Sequence, residues 1–324
     1  MSQPISQSRQ RVLAHILLLF VVLVWGTTFP LVKAALAQVS PLFFNLLRMA
    51  LATVILVAIN FSVLRGVTRG EIGQSAAAGG FLALGYQLQT AGLAHTTSSK
   101  SAFITGLVVV LVPLFCAIPG VAAPDHPKPS LLNYLGALVA FGGLILLTTV
   151  PGAALLSGFG LGEVLTLGCA IAFAAHLLML AHAAPSVSAR RLGTLQIAFA
   201  TLTMLLTLPL DGRPRFHATP IVWIALAITS VLATALAFTV QSWAQQHLPA
   251  SHTALLLTME PVFAWVFSLL FLGVKLSPRA LLGAGLILTG ILVTELRQMM
   301  GSSGTGSPGA YETKEPTLAE TRVS

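Results

Sequence analysis

The sequence contains very little charge: Asp, Glu, Lys and Arg together make up 8% of its 324 residues. Soluble domains carry about 25% charged residues, and nine acidic and seventeen basic residues cannot form a hydrated shell around a chain of this length. Hydrophobic residues account for 56% of the chain, and its mean hydropathy is +0.89. A soluble fold is therefore excluded, and lipid must be the outer solvent.

Cysteine is also scarce, since Cys116 and Cys169 are the two in the chain and both lie in apolar stretches. They do not imply a disulfide framework, and two small apolar core residues are the simpler interpretation. The formal net charge of +8 comes from basic residues scattered singly along the sequence. A nucleic-acid-binding surface gathers such residues into a patch or stripe, so we expect no nucleic acid partner.

Apolar runs long enough to cross a hydrocarbon core of about 30 Å recur along the chain. They are continuously apolar and about twice the length of a barrel strand, which favours helices. We therefore predict an all-α integral membrane protein with ten transmembrane helices, at 12–32, 42–61, 72–93, 101–121, 131–149, 159–181, 193–209, 220–243, 252–272 and 278–296. The first run is too long for a signal-peptide core, so it is expected to remain as an uncleaved helix.

Positive charge in the loops predicts the orientation. With the N-terminus in the cytoplasm, ten of the seventeen Lys and Arg lie on the inner side, six on the outer side, and Arg48 within a helix. This bias favours a multi-pass protein of the cell membrane with both termini cytoplasmic. Residues 1–11 then form a cytoplasmic N-terminus, and 297–324, rich in Gly, Ser, Thr and charge, are expected to form a disordered cytoplasmic tail.

The two halves of the sequence resemble one another. Residues 84–103 align with 236–255 at a constant offset of 152, which places Gln89 on Gln241. In the same alignment Ser99, Lys100 and Ala102 fall on Ser251, His252 and Ala254. A repeat of five spans, 12–149 and 159–296, forces the second copy to enter the membrane from the opposite side. Inverted repeats of this kind are typical of secondary transporters.

Paired glycines follow the same repeat at an offset of 147. Gly136 and Gly143 fall on Gly283 and Gly290, and each pair is seven residues apart, so its members share one helix face. Small residues allow neighbouring backbones to approach closely in lipid. We assign these glycines to helix packing.

Three stretches resemble a known family: WGTTFPLVK at 25–33, TSSKSAF at 97–103 and TMEPVFAWVFSLLFLGVKLSPRALLGAGLILTG at 258–290. The matching residues are Trp25, Gly26, Phe29, Lys33, Pro41, Arg48, Glu260, Pro261, Ser277 and Pro278. Up to Arg297, the chain is similar to the EamA-type branch of the drug/metabolite transporter superfamily. This resemblance implies a ten-helix, inverted-repeat carrier of small metabolites. His176 departs from it, because the family usually has an aromatic or small residue there.

Ionisable and polar residues inside the spans are the candidates for a solute path, because burying them in lipid is costly. A rise of about 1.5 Å per residue places Trp25, Arg48, Tyr86 and Trp265 at nearly the same depth. Arg offers a planar donor fork to a carboxylate, and Trp and Tyr offer apolar faces with polar edges. This layer would suit an amphiphilic anionic or zwitterionic metabolite, although interfacial or packing roles for the rings remain an alternative.

Three further residues complete the candidates. Gln89 and Gln241 could act as gates or as contacts between helices. Glu260, followed by the helix-breaking Pro261, could carry a proton during transport or form a fixed structural hydrogen bond. By the same depth estimate it lies about 9 Å from the level of Arg48, so a direct ion pair would be stretched. His176 is assigned to packing.

The function that fits best is secondary transport of small amino-acid-like, amphiphilic or drug-like solutes by alternating access, with export as the favoured direction. An intramembrane enzyme is the main alternative, but the sequence has no HExxH, no GxSxG and no Gly-rich phosphate loop. A channel would be expected to show a polar or charged pore ring. No catalytic residue, cofactor or metal is expected. The expected partners are the solute and the lipid bilayer. The sequence leaves open whether the protein forms a homodimer.

Overall fold

The computed structural model describes residues 7–121, 129–148, 159–183, 186–244 and 256–302. This part of the chain is helical and contains no strand, apart from an isolated antiparallel β-bridge between Val39 and Phe216. Seven of its helical stretches are long and apolar enough to cross a membrane. They are Val12–Ala35, Pro41–Leu64, Ser98–Phe115, Leu131–Thr148, Leu161–Ala183, Ala189–Asp211 and Pro220–Gln241. The chain is therefore an all-helical, multi-pass membrane protein.

The helices follow the apolar runs of the sequence. They are α1 (Gln7–Ala35), α2 (Pro41–Asn60), α3 (Arg69–His95), α4 (Ser98–Thr105), α5 (Val108–Phe115), α6 (Leu131–Thr148), α7 (Leu161–Ala183), α8 (Ala189–Thr207), α9 (Pro220–Ala227), α10 (Ala237–Ala244), α11 (Glu260–Leu272) and α12 (Pro278–Ser302). A π-helix, Ile228–Leu236, joins α9 to α10. Short 3-10 turns, Phe61–Leu64 and Leu208–Asp211, follow α2 and α8.

Several helix boundaries differ from the predicted runs. The run predicted at 101–121 begins earlier, at Ser98, because the Thr97 hydroxyl caps α4 by accepting from the Lys100 backbone N–H at 3.3 Å. The last helix continues to Ser302, past the predicted boundary at 296. Four predicted features lie wholly or partly outside the described residues: residues 1–6 of the N-terminus, the start of the run at 252–272, the repeat positions 251–254, and most of the tail, 303–324.

The paired glycines bring α6 and α12 into close contact. A Cβ atom on Gly136 would lie 2.5 Å from the Gly290 carbonyl oxygen, and one on Gly143 would lie 2.6 Å from the Gly283 oxygen. Residue numbers rise along one helix as they fall along the other, so the two helices run antiparallel. The packing role predicted for these glycines is confirmed.

Helix α3 of the first half packs against two helices of the second half, α7 and α8. Its Gly79 lies against α8, where an added Cβ would be 2.5 Å from the Gln196 carbonyl oxygen. Its Gly92 lies against α7, where the corresponding distance to the Gly162 oxygen is 2.8 Å. Helix α1 in turn packs on α11, with Gly26 facing Phe263. Helices from both halves therefore interleave at the centre of the bundle.

Candidate functional site

A cavity with about 800 Å³ of empty space, including its open side, lies at the centre of the bundle. Helices from both halves of the chain form its wall. Its polar side chains are Trp25, Thr28, Arg48, Tyr86, Gln89, Thr105, His176, Gln241 and Glu260, and its apolar wall includes Leu82, Val108, Val109, Phe173, Leu177, Phe238 and Leu257. A concave site whose wall is mostly apolar and carries a few polar groups is typical of a pocket for a small molecule.

The cavity brings together six of the seven candidate residues named from the sequence: Trp25, Arg48, Tyr86, Gln89, Gln241 and Glu260. Trp265 is not among its lining residues. That side chain packs on a neighbouring apolar cluster around Val109 and Leu111, and within the described residues its buried indole N–H has no hydrogen-bond partner. The depth estimate from the sequence does not predict which way the Trp265 side chain faces.

Arg48 is held in the cavity wall by two neighbours. Its side chain is 3% exposed, its Nε donates to Thr234 Oγ1 at 3.0 Å, and its Nη2 donates to the Tyr86 hydroxyl at 3.2 Å. The guanidinium carbon also lies 4.3 Å from the centre of the Tyr86 ring, a cation–π distance. These bonds use two of the five N–H donors of the guanidinium, so the group keeps donors for a solute.

The π-helix holds two residues of the first half that line the cavity, Arg48 and Trp25. Thr234, which accepts from Arg48, belongs to it and donates its own hydroxyl to the Thr229 carbonyl oxygen, five residues earlier. Trp25 Nε1 donates to the Ala233 carbonyl oxygen at 2.8 Å. Short π-helical segments occur frequently at functional sites. Here one such segment orients both a cation and an aromatic ring of the opposite half.

Aromatic rings close one side of the cavity. The Tyr86 and Phe173 rings meet edge to face, with their centres 5.2 Å apart. Gly85 makes room for this pair, since a Cβ there would collide with the Phe173 ring. Trp25 and Phe238 form a second, tilted pair at 5.9 Å. Together the rings give the cavity apolar walls beside the charge of Arg48.

Two helices break at the cavity at positions related by the repeat. Residues 106–107 separate α4 from α5, and a turn at 258–259 precedes α11. The offset between these breaks is 152, the same as between Gln89 and Gln241. The breaks lie against each other, because a Cβ on Gly106 would be 3.2 Å from Pro261 Cγ. The irregularity predicted beside Pro261 is present, and its equivalent in α4–α5 was not predicted.

Glu260 begins α11 at the second of these breaks and lines the cavity. In the part of the chain that the structure describes, the ion pairs join Lys100 to Glu163 at 3.7 Å and Arg191 to Glu71 at 2.9 Å. Neither Arg48 nor Glu260 takes part in them, which agrees with the predicted separation of the two charges. The cavity therefore contains a guanidinium and a carboxyl group that form no ion pair with each other.

Sequence reasoning missed Thr105 and Phe173 and assigned His176 to packing, yet all three line the cavity. Gln89 Nε2 donates to Thr105 Oγ1 at 3.4 Å, and His176 Nε2 lies 2.7 Å from Gln196 Oε1. A polar residue inside an apolar run was the available signal for His176. Among the described residues no group of three or more His, Cys, Asp or Glu is placed to hold a metal ion.

Glu71 lies in the first turn of α3, just before the predicted run 72–93. The Thr68 backbone N–H donates to Glu71 Oε2 at 2.8 Å, and Arg191 Nη1 donates to Glu71 Oε1 at 2.9 Å. These two bonds hold the pKa of Glu71 below its usual range. Arg191 also donates to the Val63 and Arg65 carbonyl oxygens. It thereby ties the start of α8 to the α2–α3 connection.

The apolar helices and the central cavity define a polytopic membrane protein with a cavity inside its helix bundle. The chain belongs to the EamA-like transporter family, which it matches over residues 12–149 and 160–296. A protein of Archaeoglobus fulgidus described as an uncharacterized transporter is 33% identical over 288 residues, covering 89% of this chain and 87% of the relative. These matches confirm the resemblance drawn from the sequence and indicate a membrane transporter.

A solved structure is similar in fold. It is a crystal structure of a protein that aligns with 89% of this chain and 98% of its own, with a TM-score of 0.60 and 17% sequence identity. At this identity the similarity concerns the fold alone.

Proposed function

We propose that the chain is a secondary transporter of the cell membrane that moves small amphiphilic, amino-acid-like or drug-like solutes by alternating access, in the direction of export. The proposal includes ten spans in two inverted five-helix repeats, with both termini in the cytoplasm. The observation that carries it is the central cavity, whose wall comes from both halves of the chain and contains Arg48 and Glu260 without an ion pair between them.

Reciprocal packing of the helices supports the inverted repeat. α1 packs on α11, while α7, its counterpart in the second half, packs on α4 and α5. α3 packs on α7 and α8, while its counterpart, α9 with the π-helix and α10, packs on α1 and α2. In α6 and α12 the contact is self-complementary, since Gly136 faces Gly290 and Gly143 faces Gly283. A two-fold relation between the halves produces contacts of this kind.

The paired helix breaks support a transport site at the same place. Interrupted spans in corresponding positions of two halves are the best sequence-level pointer to the binding site of a secondary transporter. Here the breaks at 106–107 and 258–259 both border the cavity. Two similar halves that rock about this site would open it to each side in turn.

The chemistry of the wall supports the solute class. Arg48 has N–H donors left for a carboxylate, and Glu260 offers an acceptor-only group for an ammonium when it is ionised. Aromatic rings such as Tyr86 and Trp25 offer apolar faces to the rest of the molecule. A solute with separated opposite charges and an apolar part uses all three features.

The test is flux through the purified, full-length protein in liposomes. Labelled amino acids, an amphiphilic cation and a neutral sugar are assayed for uptake, with and without unlabelled solute inside and with and without ion gradients. We expect saturable uptake of a zwitterionic amphiphile that is accelerated by solute on the far side. Conductance without saturation would support a channel instead, and chemical conversion without flux would support an enzyme.

A further inference from the structure

His176 and Gln196 form a buried polar pair at the edge of the cavity. The two residues lie on neighbouring helices, α7 and α8, and are 4% and 2% exposed. His176 Nε2 lies 2.7 Å from Gln196 Oε1, and the imidazole lines the cavity. The backbone beneath Gln196 is itself fixed, because its carbonyl oxygen lies against Gly79 of α3. The pair is therefore buried and lies on a closely packed stretch of backbone.

This geometry sets which ring nitrogen carries the proton. An amide Oε1 is an acceptor, so the neutral imidazole must donate to it from Nε2–H. In a neutral imidazole the other nitrogen, Nδ1, is then an acceptor. Nε2 is engaged by Gln196, and Nδ1 is the polar atom that the ring can offer to the cavity. Arg48 presents donors to the same space, and His176 adds a neutral acceptor.

We propose that His176 is a solute-selecting residue of this transporter: its Nδ1 accepts a hydrogen bond from an O–H or N–H group on the solute, and Gln196 is the positioning residue that keeps Nδ1 free of hydrogen. This inference rests on the proposed transport function and deepens it. A site built to accept such a bond discriminates against an otherwise similar solute that lacks the donor, because the buried acceptor is then left without a partner.

Methylated amino acids provide matched probes. Tyrosine and O-methyltyrosine differ in one O–H donor, and tryptophan and 1-methyltryptophan differ in one N–H donor. Competition of each unlabelled compound against uptake of a labelled solute that the wild-type protein carries gives an inhibition constant for each. For at least one of the two pairs, we expect the wild-type protein to bind the donor-bearing member about tenfold more tightly than its methylated partner.

Two substitutions of His176 test the roles of its two ring nitrogens separately. In His176→Asn the amide oxygen can take the place of Nδ1, so the preference for the donor-bearing member should persist. In His176→Gln the amide reaches the place of Nε2 and can meet Gln196, but no acceptor remains at the Nδ1 position. In this variant the donor-bearing member and its methylated partner should bind almost equally, apart from the effect of the added methyl group. Binding of the methylated compounds should change little.

Gln196→Met tests the positioning role. It removes the acceptor for Nε2–H at similar side-chain length, so the imidazole can place a proton on either nitrogen. The donor preference should weaken, although His176 is still present. A merely structural role would lower binding of all four compounds by a similar factor or reduce folded protein, and it would leave the two ratios unchanged.

The outcomes separate this inference from the proposed function. If the wild-type protein carries solutes but shows no donor preference, or if His176→Gln keeps the preference that His176→Asn loses, the role of His176 is wrong and transport stands. If the wild-type protein moves no labelled solute in the panel, the proposed function fails, and the inference fails with it.

Discussion

The guanidinium of Arg48 rests on the ring of Tyr86, with its central carbon 4.3 Å from the ring centre and Nη2 3.2 Å from the hydroxyl oxygen. This contact fixes a cation in the wall of the cavity without neutralising it. Substituting Arg48 by Gln removes the charge and the planar donor fork. We expect transport of an anionic or zwitterionic solute in proteoliposomes to fall about 10- to 100-fold, the range for hydrogen bonds to a charged group.

Two variants make this prediction specific. Arg48→Lys keeps the charge without the fork and should retain an intermediate activity. Arg69→Gln removes the charge of an exposed residue at the start of α3 and should leave transport unchanged. Equal activity of Arg48→Gln and Arg69→Gln would show that Arg48 does not contact the solute.

Glu260 is the candidate for proton coupling. Its carboxyl borders the cavity and takes part in none of the ion pairs among the described residues, so it is placed to bind and release a proton during the cycle. We expect Glu260→Gln to abolish the dependence of uptake on an imposed pH gradient. Glu163→Gln is the matched control, because that carboxylate pairs with Lys100 at a helix end. Proton coupling through Glu260 fails if Glu260→Gln keeps full transport and the wild-type response to the gradient.

Adjacent glycines of α6 offer a direct test of the helix packing. A Cβ on Gly143 would lie 2.6 Å from the Gly283 carbonyl oxygen, whereas one on Gly142 would meet nothing within 4 Å. Gly143→Ala should therefore destabilise the protein by about 1–3 kcal/mol, as overpacking does. Gly142→Ala should be neutral or slightly stabilising, because Ala favours a helix over Gly. Thermal unfolding in detergent measures both, and equal midpoints would contradict the close approach of α6 and α12.

Glu71 predicts a pH dependence of stability. Its pKa is lowered in the folded protein by the Thr68 backbone N–H and by Arg191, so the stabilisation is complete above the ordinary Glu pKa of about 4.3. It is lost as the pH falls through the lowered folded value. Thermal midpoints measured from neutral to acidic pH should fall less steeply for Glu71→Gln than for the wild-type protein. Parallel curves would show that these bonds do not persist in solution.

The sequence predicted the helical runs well and their interruptions poorly. Continuous apolar stretches, such as 131–149 and 220–243, correspond closely to α6 and to the stretch from α9 to α10, because lipid requires helices of about that length. No comparable pattern in the sequence predicts the break at 106–107 or the π-helix. Both features contact other helices: Gly106 lies against Pro261, and Thr234 accepts from Arg48.

The candidate site was predicted in the same uneven way. The cost of burying charge in lipid singled out Arg48 and Glu260 as candidates, since few other charges lie inside the spans, and both residues line the cavity. His176 could not be placed from its own helix, because its partner Gln196 lies on another one. Trp265 packs on a neighbouring apolar cluster and does not line the cavity. Rotation about a helix axis is decided by packing, which one sequence does not reveal.

The central claim is that two five-span halves of opposite orientation share the cavity. It is tested by labelling single cysteines with a membrane-impermeant maleimide in a background that lacks Cys116 and Cys169. Gly70→Cys lies at the exposed start of α3, and Ala218→Cys lies in the exposed segment just before α9, the start of its counterpart. The account predicts labelling of Ala218→Cys from the outside of intact cells and of Gly70→Cys after permeabilisation. Labelling of both from the same side would contradict it.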